Sequence, residues 1–272
     1  FNSHLDFFEE IAKFRAARRI WAKRLRNKYN AKDERSLKLR FHTQTAGCSL
    51  TAQQPEINIA RTGFQALAGV LGGTQSLHTN SYDEALGLPT EKSATVALRT
   101  QQIIAEESGV ADVVDPFAGS YHIEHLTNQI YEQAMNEILK IESLGGSMTA
   151  IEQGYQQQEI HTTAYRYFNE IESSSRKIVG VNHGVLEENI KVQPMKLNPK
   201  VTEEQHMRLI ETRSSRDSEQ VGALLLSISK ACSTDENLFP LVIQAVKANA
   251  TLGEIMKAMK DVFGTYMAPS GF

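Results

Sequence analysis

The sequence is poor in cysteine and has no long hydrophobic run. Its two cysteines, Cys48 and Cys232, form neither a C-x-x-C pair nor a zinc-ligand spacing, which excludes a disulfide framework. No stretch of about 18 apolar residues occurs, and residues 1–6 lack the charge and apolar core of a signal peptide. We therefore expect an intracellular, cytoplasmic protein that does not cross a membrane.

Common catalytic motifs are also missing. The sequence has no glycine-rich phosphate loop, no G-x-S-x-G and no H-E-x-x-H. A formal charge of −3 over 272 residues argues against a general nucleic-acid-binding surface, whereas 41% hydrophobic residues suffice for a sizeable core. The function must therefore be sought in the arrangement of ordinary polar residues.

An amphipathic helix is predicted over residues 6–30, with Asp6 as its N-cap. Its apolar residues recur at steps of three, four and seven, while its other faces carry many basic residues, Lys13, Arg15, Arg18, Arg19, Lys23, Arg24, Arg26 and Lys28. Two interpretations remain open. The basic residues form a solvated face paired with acidic neighbours, or they bind phosphate, nucleic acid or another anionic partner.

Two stretches share one design, a strand with a polar face followed by a loop and a helix. Side chains alternate along a strand, so Arg40, His42 and Gln44 share one face while Leu37, Leu39 and Phe41 share the other. In the second stretch one face carries four polar residues, Thr74, Ser76, His78 and Asn80. A buried parallel strand is normally almost entirely apolar. Two neighbouring strands with polar rows therefore indicate a polar ligand between them.

A third strand is predicted at residues 111–115. The strands are joined by helices at about 55–71 and 89–109, and the first of these is expected to bury a set of apolar residues, Ile57, Ala60, Phe64, Leu67, Ala68 and Leu71. The spacing fits an α/β fold with parallel strands, either a (β/α)₈ barrel or an open sheet. The barrel is favoured because polar residues cluster at carboxyl ends of strands, where barrel enzymes place their chemistry. Three strands would form only part of it.

After residue 121 the pattern is mainly helical. We expect two regions, residues 1–145 with the βα units and residues 146–272 as a helical extension, with a linker-like stretch between Pro194 and Pro199. The predicted fold is thus the C-terminal part of a (β/α)₈ barrel followed by a helical region.

The best candidates for chemistry are His42 and Gln44, because a row of buried polar side chains costs stability unless each group is paired or meets a ligand. His78 fits a satisfied core position as well as a functional one. A metal site built from His42, His78 and Glu84 is disfavoured, since no further ligand has a suitable spacing. We expect no bound metal.

Three runs of sequence resemble the adenosylcobalamin-dependent acyl-CoA mutases. They are residues 41–51 (FHTQTAGCSLT), residues 72–86 (GGTQSLHTNSYDEAL), and residues 106–109 (EESG) followed by 115–121 (DPFAGSY). The resemblance covers almost the whole chain and implies the later part of the substrate-binding barrel with the helical segment after it.

The resemblance also implies a reaction and a set of site residues. The reaction is a radical isomerisation of an acyl-CoA carbon skeleton, for which adenosylcobalamin supplies the radical chemistry. His42 and Gln44 would face the thioester and the reacting carbon, so they are the expected catalytic residues. Gly47, Glu84 and Gly87 would contact the corrin and adenosyl side of the cofactor, and Asn80 would lie near the adenosyl ribose.

Parts of the family pattern are missing from this sequence. The D-x-H-x-x-G motif that brings the axial histidine does not occur, and neither do the early strands of the barrel. The resemblance therefore implies an inactive chain that needs an N-terminal barrel half and a cobalamin-binding subunit in an oligomer. A non-catalytic scaffold in such a complex is the alternative.

The acyl group stays open. Ala46 and Cys48 stand where methylmalonyl-CoA-specific members usually have Ser and Trp, and Phe117-Ala118 stands where they have Trp-Gly. The methylmalonyl-CoA to succinyl-CoA type and the isobutyryl- or 2-hydroxyisobutyryl-CoA types are all compatible with the motifs.

Overall fold

A computed structural model describes residues 1–186, 195–196 and 198–266. It contains two compact units, Phe1–Met195 and Lys196–Phe272, and each is described by itself. Residues 194 and 197 of the predicted linker lie outside the described residues. None of the helices in the described ranges has the length and hydrophobicity needed to cross a bilayer.

The first unit is built on a small parallel sheet. Its strands are β1 (Asn2–Ser3), β2 (His42–Thr45) and β3 (Ser76–His78), in the order β1-β2-β3. The register pairs His42 with Ser76 and Gln44 with His78. The predicted α/β class with parallel strands is confirmed, and both polar stretches contain neighbouring strands.

The third strand was predicted in the wrong place. Residues 111–115 contain a short 3₁₀ turn, Val110–Asp112, and Asp115 takes a positive φ of 48°. Val114 is β-branched, which favours a strand, but its side chain is 94% exposed and the segment pairs with no strand among the described residues. The third strand is instead β1, whose two polar residues carry no hydrophobic alternation to signal it.

Helices follow each strand of the sheet. They are α1 (Phe7–Asn27), α2 (Asn58–Leu71) and α3 (Glu91–Glu106), and a further three follow, α4 (Tyr121–Ser143), α5 (Ser147–Glu152) and α6 (Tyr155–Glu172). Asp6 caps α1 by accepting the Glu9 N–H at 3.4 Å, as predicted. The first unit therefore contains three consecutive βα units. The predicted domain boundary after residue 145 stays a prediction.

The basic residues of α1 pair mainly with acidic residues at the start and end of α4. Arg15 contacts Asp115 and Glu124, and Lys28 and Arg24 both contact Glu142. Hydrogen bonding to Lys28 and Arg24 lowers the pKa of Glu142. The predicted pairing with acidic neighbours is confirmed, but the predicted solvation is wrong for Arg15 and Arg24, whose side chains are only 12% and 17% exposed.

The buried face of α2 differs from the prediction. Phe64 is 59% exposed and Ala60 is exposed, whereas Ala68 is buried as expected. The buried side is mostly polar and consists of Asn58, Arg61, Thr62, Gln65, Ala66, Ala68 and Gly69. The reason is that α2 covers Thr43 and Thr45 of β2 and the loops beyond the strands, where backbone groups need hydrogen-bond partners.

The second unit is helical. It contains α7 (Pro199–Ser215), α8 (Ser218–Ala231), α9 (Leu238–Lys247) and α10 (Leu252–Phe263). Residues from the last three helices and their connections form a small core, Val221, Ile228, Cys232, Ala245, Ala250 and Ile255. Asp217 and Asn237 cap α8 and α9 through their side chains.

Glu254 at the start of α10 makes the unit acid-sensitive. Its carboxylate accepts hydrogen bonds from Arg216 at 2.6 and 2.7 Å and from the Thr251 N–H at 2.8 Å. These bonds, with Arg216 first, lower the pKa of Glu254 from 4.5 to about 2. A lowered pKa in the folded state stabilises the protein above the unfolded value, so this stabilisation is lost as pH falls from about 4.5 to about 2.

We expect Glu254→Gln to destabilise the second unit by roughly 2 kcal/mol at neutral pH and to flatten its acid response in that window. Hydrogen exchange of α8–α10 from pH 5 to pH 2 measures both effects. Asp261→Asn is the control, because its pair with Lys257 is exposed and adds at most about 1 kcal/mol. Equal acid responses in wild type and Glu254→Gln would contradict the assignment.

Candidate functional site

The candidate site lies on the face of the sheet opposite α2. Thr43 and Thr45 point to the helix and are 0% exposed, and Gly69 of α2 lies close enough that a Cβ there would be 3.4 Å from Thr43. His42 and Gln44 alternate with them and are exposed on the other face. The predicted sharing of one face by these two side chains is confirmed, and both are exposed while α2 packs on the opposite face.

His42 is oriented by the neighbouring strand. Its Nδ1 lies 2.7 Å from the Ser76 hydroxyl oxygen, and the two residues are register partners. A hydroxyl rotates to donate or accept, so it can hold either neutral tautomer of the ring. The bond restrains the ring and leaves Nε2 without a hydrogen-bond partner among the described residues, so Nε2 is available to a ligand.

Gln44 and Asn80 form the next contact along the same face. The Gln44 amide Nε2 donates to Asn80 Oδ1 at 3.1 Å, and the Asn80 backbone N–H donates to Thr45 Oγ1 at 2.9 Å. Asn80 is 2% exposed, yet its Nδ2 has no hydrogen-bond partner among the described residues. A buried amide left unpaired costs about 1–3 kcal/mol, so this donor marks a place where a polar ligand group would be stabilised.

Gly47 and Glu84 complete the cluster from two loops. We call residues 46–55, after β2, the first site loop, and residues 79–90, after β3, the second site loop. A Cβ on Gly47 would lie 2.8 Å from Asn80 Nδ2 and 2.9 Å from Glu84 Oε1. Glycine is required here by this close approach between the loops, and Gln44, Gly47, Asn80 and Glu84 are therefore neighbours.

The second site loop is anchored by a residue that the sequence reading overlooked. Asp83 is 1% exposed, and its Oδ2 accepts the N–H of Thr90, the N-cap of α3, at 3.3 Å. Gly87 lies within this span, with its N–H donating to the Asp83 carbonyl at 3.2 Å. The sequence offered one signal for this contact, an aspartate seven residues before the threonine that caps the next helix.

His78 is exposed at the end of β3 beside Gln44, its register partner. Within residues 1–186, 195–196 and 198–266, no group of three or more His, Cys, Asp or Glu side chains is arranged to hold a metal ion. The site therefore offers the imidazole of His42, two amides and one carboxylate grouped closely around Gly47, with a second imidazole, that of His78, beside Gln44. This set suits hydrogen bonding to a large polar ligand.

Comparison with known proteins identifies the family. The family model described as methylmalonyl-CoA mutase matches residues 1–265. The chain belongs to the methylmalonyl-CoA mutase family. The site residues all lie within the matched region.

Curated relatives give the same result. The chain is 47% identical over 269 residues to the 2-hydroxyisobutanoyl-CoA mutase large subunit of Aquincola tertiaricarbonis, covering 98% of this chain and 48% of that protein. It is 46% identical over 266 residues to the mitochondrial methylmalonyl-CoA mutase of Homo sapiens, covering 97% and 36%. With the methylmalonyl-CoA mutase of Escherichia coli K12 it shares 44% over 271 residues, covering 99% and 38%. The chain thus spans about half or less of the length of these family members.

Proposed function

We propose that the chain forms the carboxyl-terminal βα units, within residues 1–145, and the helical extension, within residues 146–272, of an adenosylcobalamin-dependent acyl-CoA mutase. The observation that carries this proposal is the contiguous row from His42 and Ser76 through Gln44 and Asn80 to Gly47, on the open face of neighbouring parallel strands. Polar residues at carboxyl ends of parallel strands are where (β/α)₈ enzymes bind and convert substrates.

His42 and Gln44 would act on the substrate. A positioned imidazole N–H can donate to a thioester carbonyl as charge moves onto its oxygen, and the Ser76 contact fixes the ring for this task. The Gln44 amide, held by Asn80, would orient the reacting carbon. Neither residue needs to exchange a proton, because hydrogen bonding alone stabilises the carbonyl that migrates.

Gly47, Asn80, Glu84 and Gly87 would hold the cofactor. The fit rests on the unpaired buried Nδ2 of Asn80 and on the close approach of Asn80 and Glu84 that the missing Cβ of Gly47 permits. The chemistry that adenosylcobalamin supplies when bound is the generation of an organic radical. Amide and carboxylate groups in this arrangement suit the hydroxyl groups of a ribose, since one donates and the other accepts.

The proposed enzyme needs other polypeptide segments. β1 and β3 are the two edge strands of the described sheet, and closing a (β/α)₈ barrel takes further parallel strands beside both. We assign these strands to an N-terminal barrel half, and a cobalamin-binding subunit would supply the remaining contacts to the cofactor. An oligomer of these parts with acyl-CoA as substrate is the active form.

The substrate proposal is supported by two relatives, a methylmalonyl-CoA mutase at 46% identity and a 2-hydroxyisobutanoyl-CoA mutase large subunit at 47% identity. We propose a substrate of one of these types.

Reconstitution tests the proposal. The chain is mixed with the preceding part of the Aquincola tertiaricarbonis large subunit, a cobalamin-binding subunit and adenosylcobalamin, and assembly is checked by light scattering. Isomerisation of methylmalonyl-, isobutyryl- or 2-hydroxyisobutyryl-CoA is expected only when all parts are present. An assembled complex that converts none of these substrates would overturn the proposal, and omission of this chain is the matched control.

A further inference from the structure

The buried start of α2 contacts both site loops through one side chain. Asn58 is 0% exposed. Its Nδ2 donates to the Thr51 carbonyl in the first site loop at 2.9 Å and to the Tyr82 carbonyl in the second at 2.9 Å. Its Oδ1 accepts the Thr51 N–H at 3.1 Å. A single amide therefore bonds irregular backbone on both sides of the site.

The hydrogen-bonding capacity of Asn58 is fully used. An amide side chain has two donor hydrogens and two acceptor lone pairs. The fourth bond comes from Arg61, whose guanidinium donates to Asn58 Oδ1 at 2.7 Å and also to Thr51 Oγ1 at 2.9 Å. A side chain with four satisfied bonds in a dry environment has one orientation, so the separation of the two backbone segments is fixed with it.

Tyr82 lies between the two site residues of its loop. Asn80 is held at the strand end by Thr45, and Glu84 follows Tyr82 by two residues. The Asn58 bond to the Tyr82 carbonyl therefore restrains the backbone between them. On the other side, Thr51 lies four residues after Gly47. Losing the Asn58 bonds would free the loops to separate where Gly47, Asn80 and Glu84 approach one another.

We propose that Asn58 is a positioning residue that sets the distance between the two site loops, with Arg61 holding its amide in place. The expected effect on cofactor binding rests on the proposed function, since the two loops carry the proposed cofactor contacts. Asn58 itself is fully buried and is not among the residues proposed to contact substrate or cofactor. Its effect is transmitted through the backbone of Thr51 and Tyr82.

Asn58→Asp is the sharpest variant. A carboxylate keeps the shape and the two acceptor bonds, to Thr51 N–H and Arg61, and loses both donors to the loop carbonyls. We expect amide hydrogen exchange in residues 80–87 of the chain to become about tenfold faster, as for the loss of one or two buried hydrogen bonds. In the reconstituted complex, the Kd for adenosylcobalamin should rise about tenfold by equilibrium titration.

Asn182→Asp is the matched control. The Asn182 amide also bridges backbone, donating to the carbonyls of Ile171 at 2.9 Å and Arg176 at 2.8 Å and accepting the Ile178 N–H at 2.7 Å. None of these hydrogen bonds reaches either site loop. We expect a similar loss of thermal stability with unchanged exchange at 80–87 and an unchanged Kd.

The outcomes separate the two proposals. Faster hydrogen exchange at residues 80–87 only in Asn58→Asp supports the positioning role of Asn58, whether or not the complex binds cofactor. Absence of cofactor binding by the wild-type complex counts against the proposed function alone. Unchanged exchange in Asn58→Asp, or equal changes in both variants, would overturn the positioning role. If Asn58→Asp does not fold, Asn58→Ser, which is too short to reach the Tyr82 carbonyl, is measured against Asn182→Ser with the same criteria.

Discussion

Replacing His42 with alanine is expected to lower the turnover of the reconstituted mutase by about 10²- to 10³-fold, the loss measured when one donor to a developing oxyanion is removed. The His42 side chain is exposed and hydrogen-bonded only to Ser76 in the described contacts, so its removal leaves the core intact. The steady-state kcat is the measurement, taken at saturating acyl-CoA and cofactor. KM is expected to change less, because the carbonyl bond strengthens as charge develops.

His161→Ala serves as the control for His42→Ala. His161 is an exposed histidine of α6 and has no place in the proposed site. Both variants should assemble as the wild type does, and His161→Ala should keep its turnover. Wild-type kcat in His42→Ala would exclude a catalytic role, and loss of turnover in both variants would indicate a general defect. Wild-type turnover after replacing both His42 and Gln44 would favour a scaffold.

The side-chain alternation of β2 was predictable because it depends only on strand geometry. Arg40, His42 and Gln44 are exposed, and Phe41 is 8% exposed on the covered face. Period-two alternation needs no knowledge of tertiary structure. The position of β1 was not predictable in this way, since two residues become a strand only by bonding to a neighbour that lies about 40 residues further along the chain.

The polar underside of α2 shows where hydrophobic periodicity misleads. The expectation that the apolar side of a helix faces inward predicted a buried Phe64, which is wrong. A set of polar residues spaced three and four apart shares the buried face instead, Asn58, Arg61, Thr62 and Gln65. That face is buried because it supplies hydrogen bonds to loops that have no strand partners. A polar stripe with helical spacing next to predicted loop residues was a usable signal for a buried polar face. The geometry of the two site loops depends on the hydrogen bonds from that face.

Replacing Gly47 with alanine is expected to weaken adenosylcobalamin binding at least tenfold, because the new methyl group would clash with two side chains that hold the cofactor in the proposed site. Its Cβ would lie 2.8 Å from Asn80 Nδ2 and 2.9 Å from Glu84 Oε1. The exposed Glu84 side chain can swing aside, but Asn80 is buried and held by Gln44 and Thr45. Asn80 must therefore shift, and its unpaired amide moves with it. Equilibrium titration of the reconstituted complex measures the loss.

Two further variants make the Gly47 result specific. Gly222→Ala in α8, where a Cβ meets nothing within 4 Å, should leave cofactor binding unchanged and stabilise the chain by roughly 0.5–1 kcal/mol. In a double-mutant cycle, Gly47→Ala should still weaken cofactor binding in the Glu84→Ala background, although by a smaller factor than in the wild type, if Asn80 is the obstructed group. If Gly47→Ala has no effect on cofactor affinity in the Glu84→Ala background, the steric conflict is with Glu84 alone. Unchanged affinity in the Gly47→Ala single variant would mean that cofactor binding does not depend on the close approach of the two loops at Gly47.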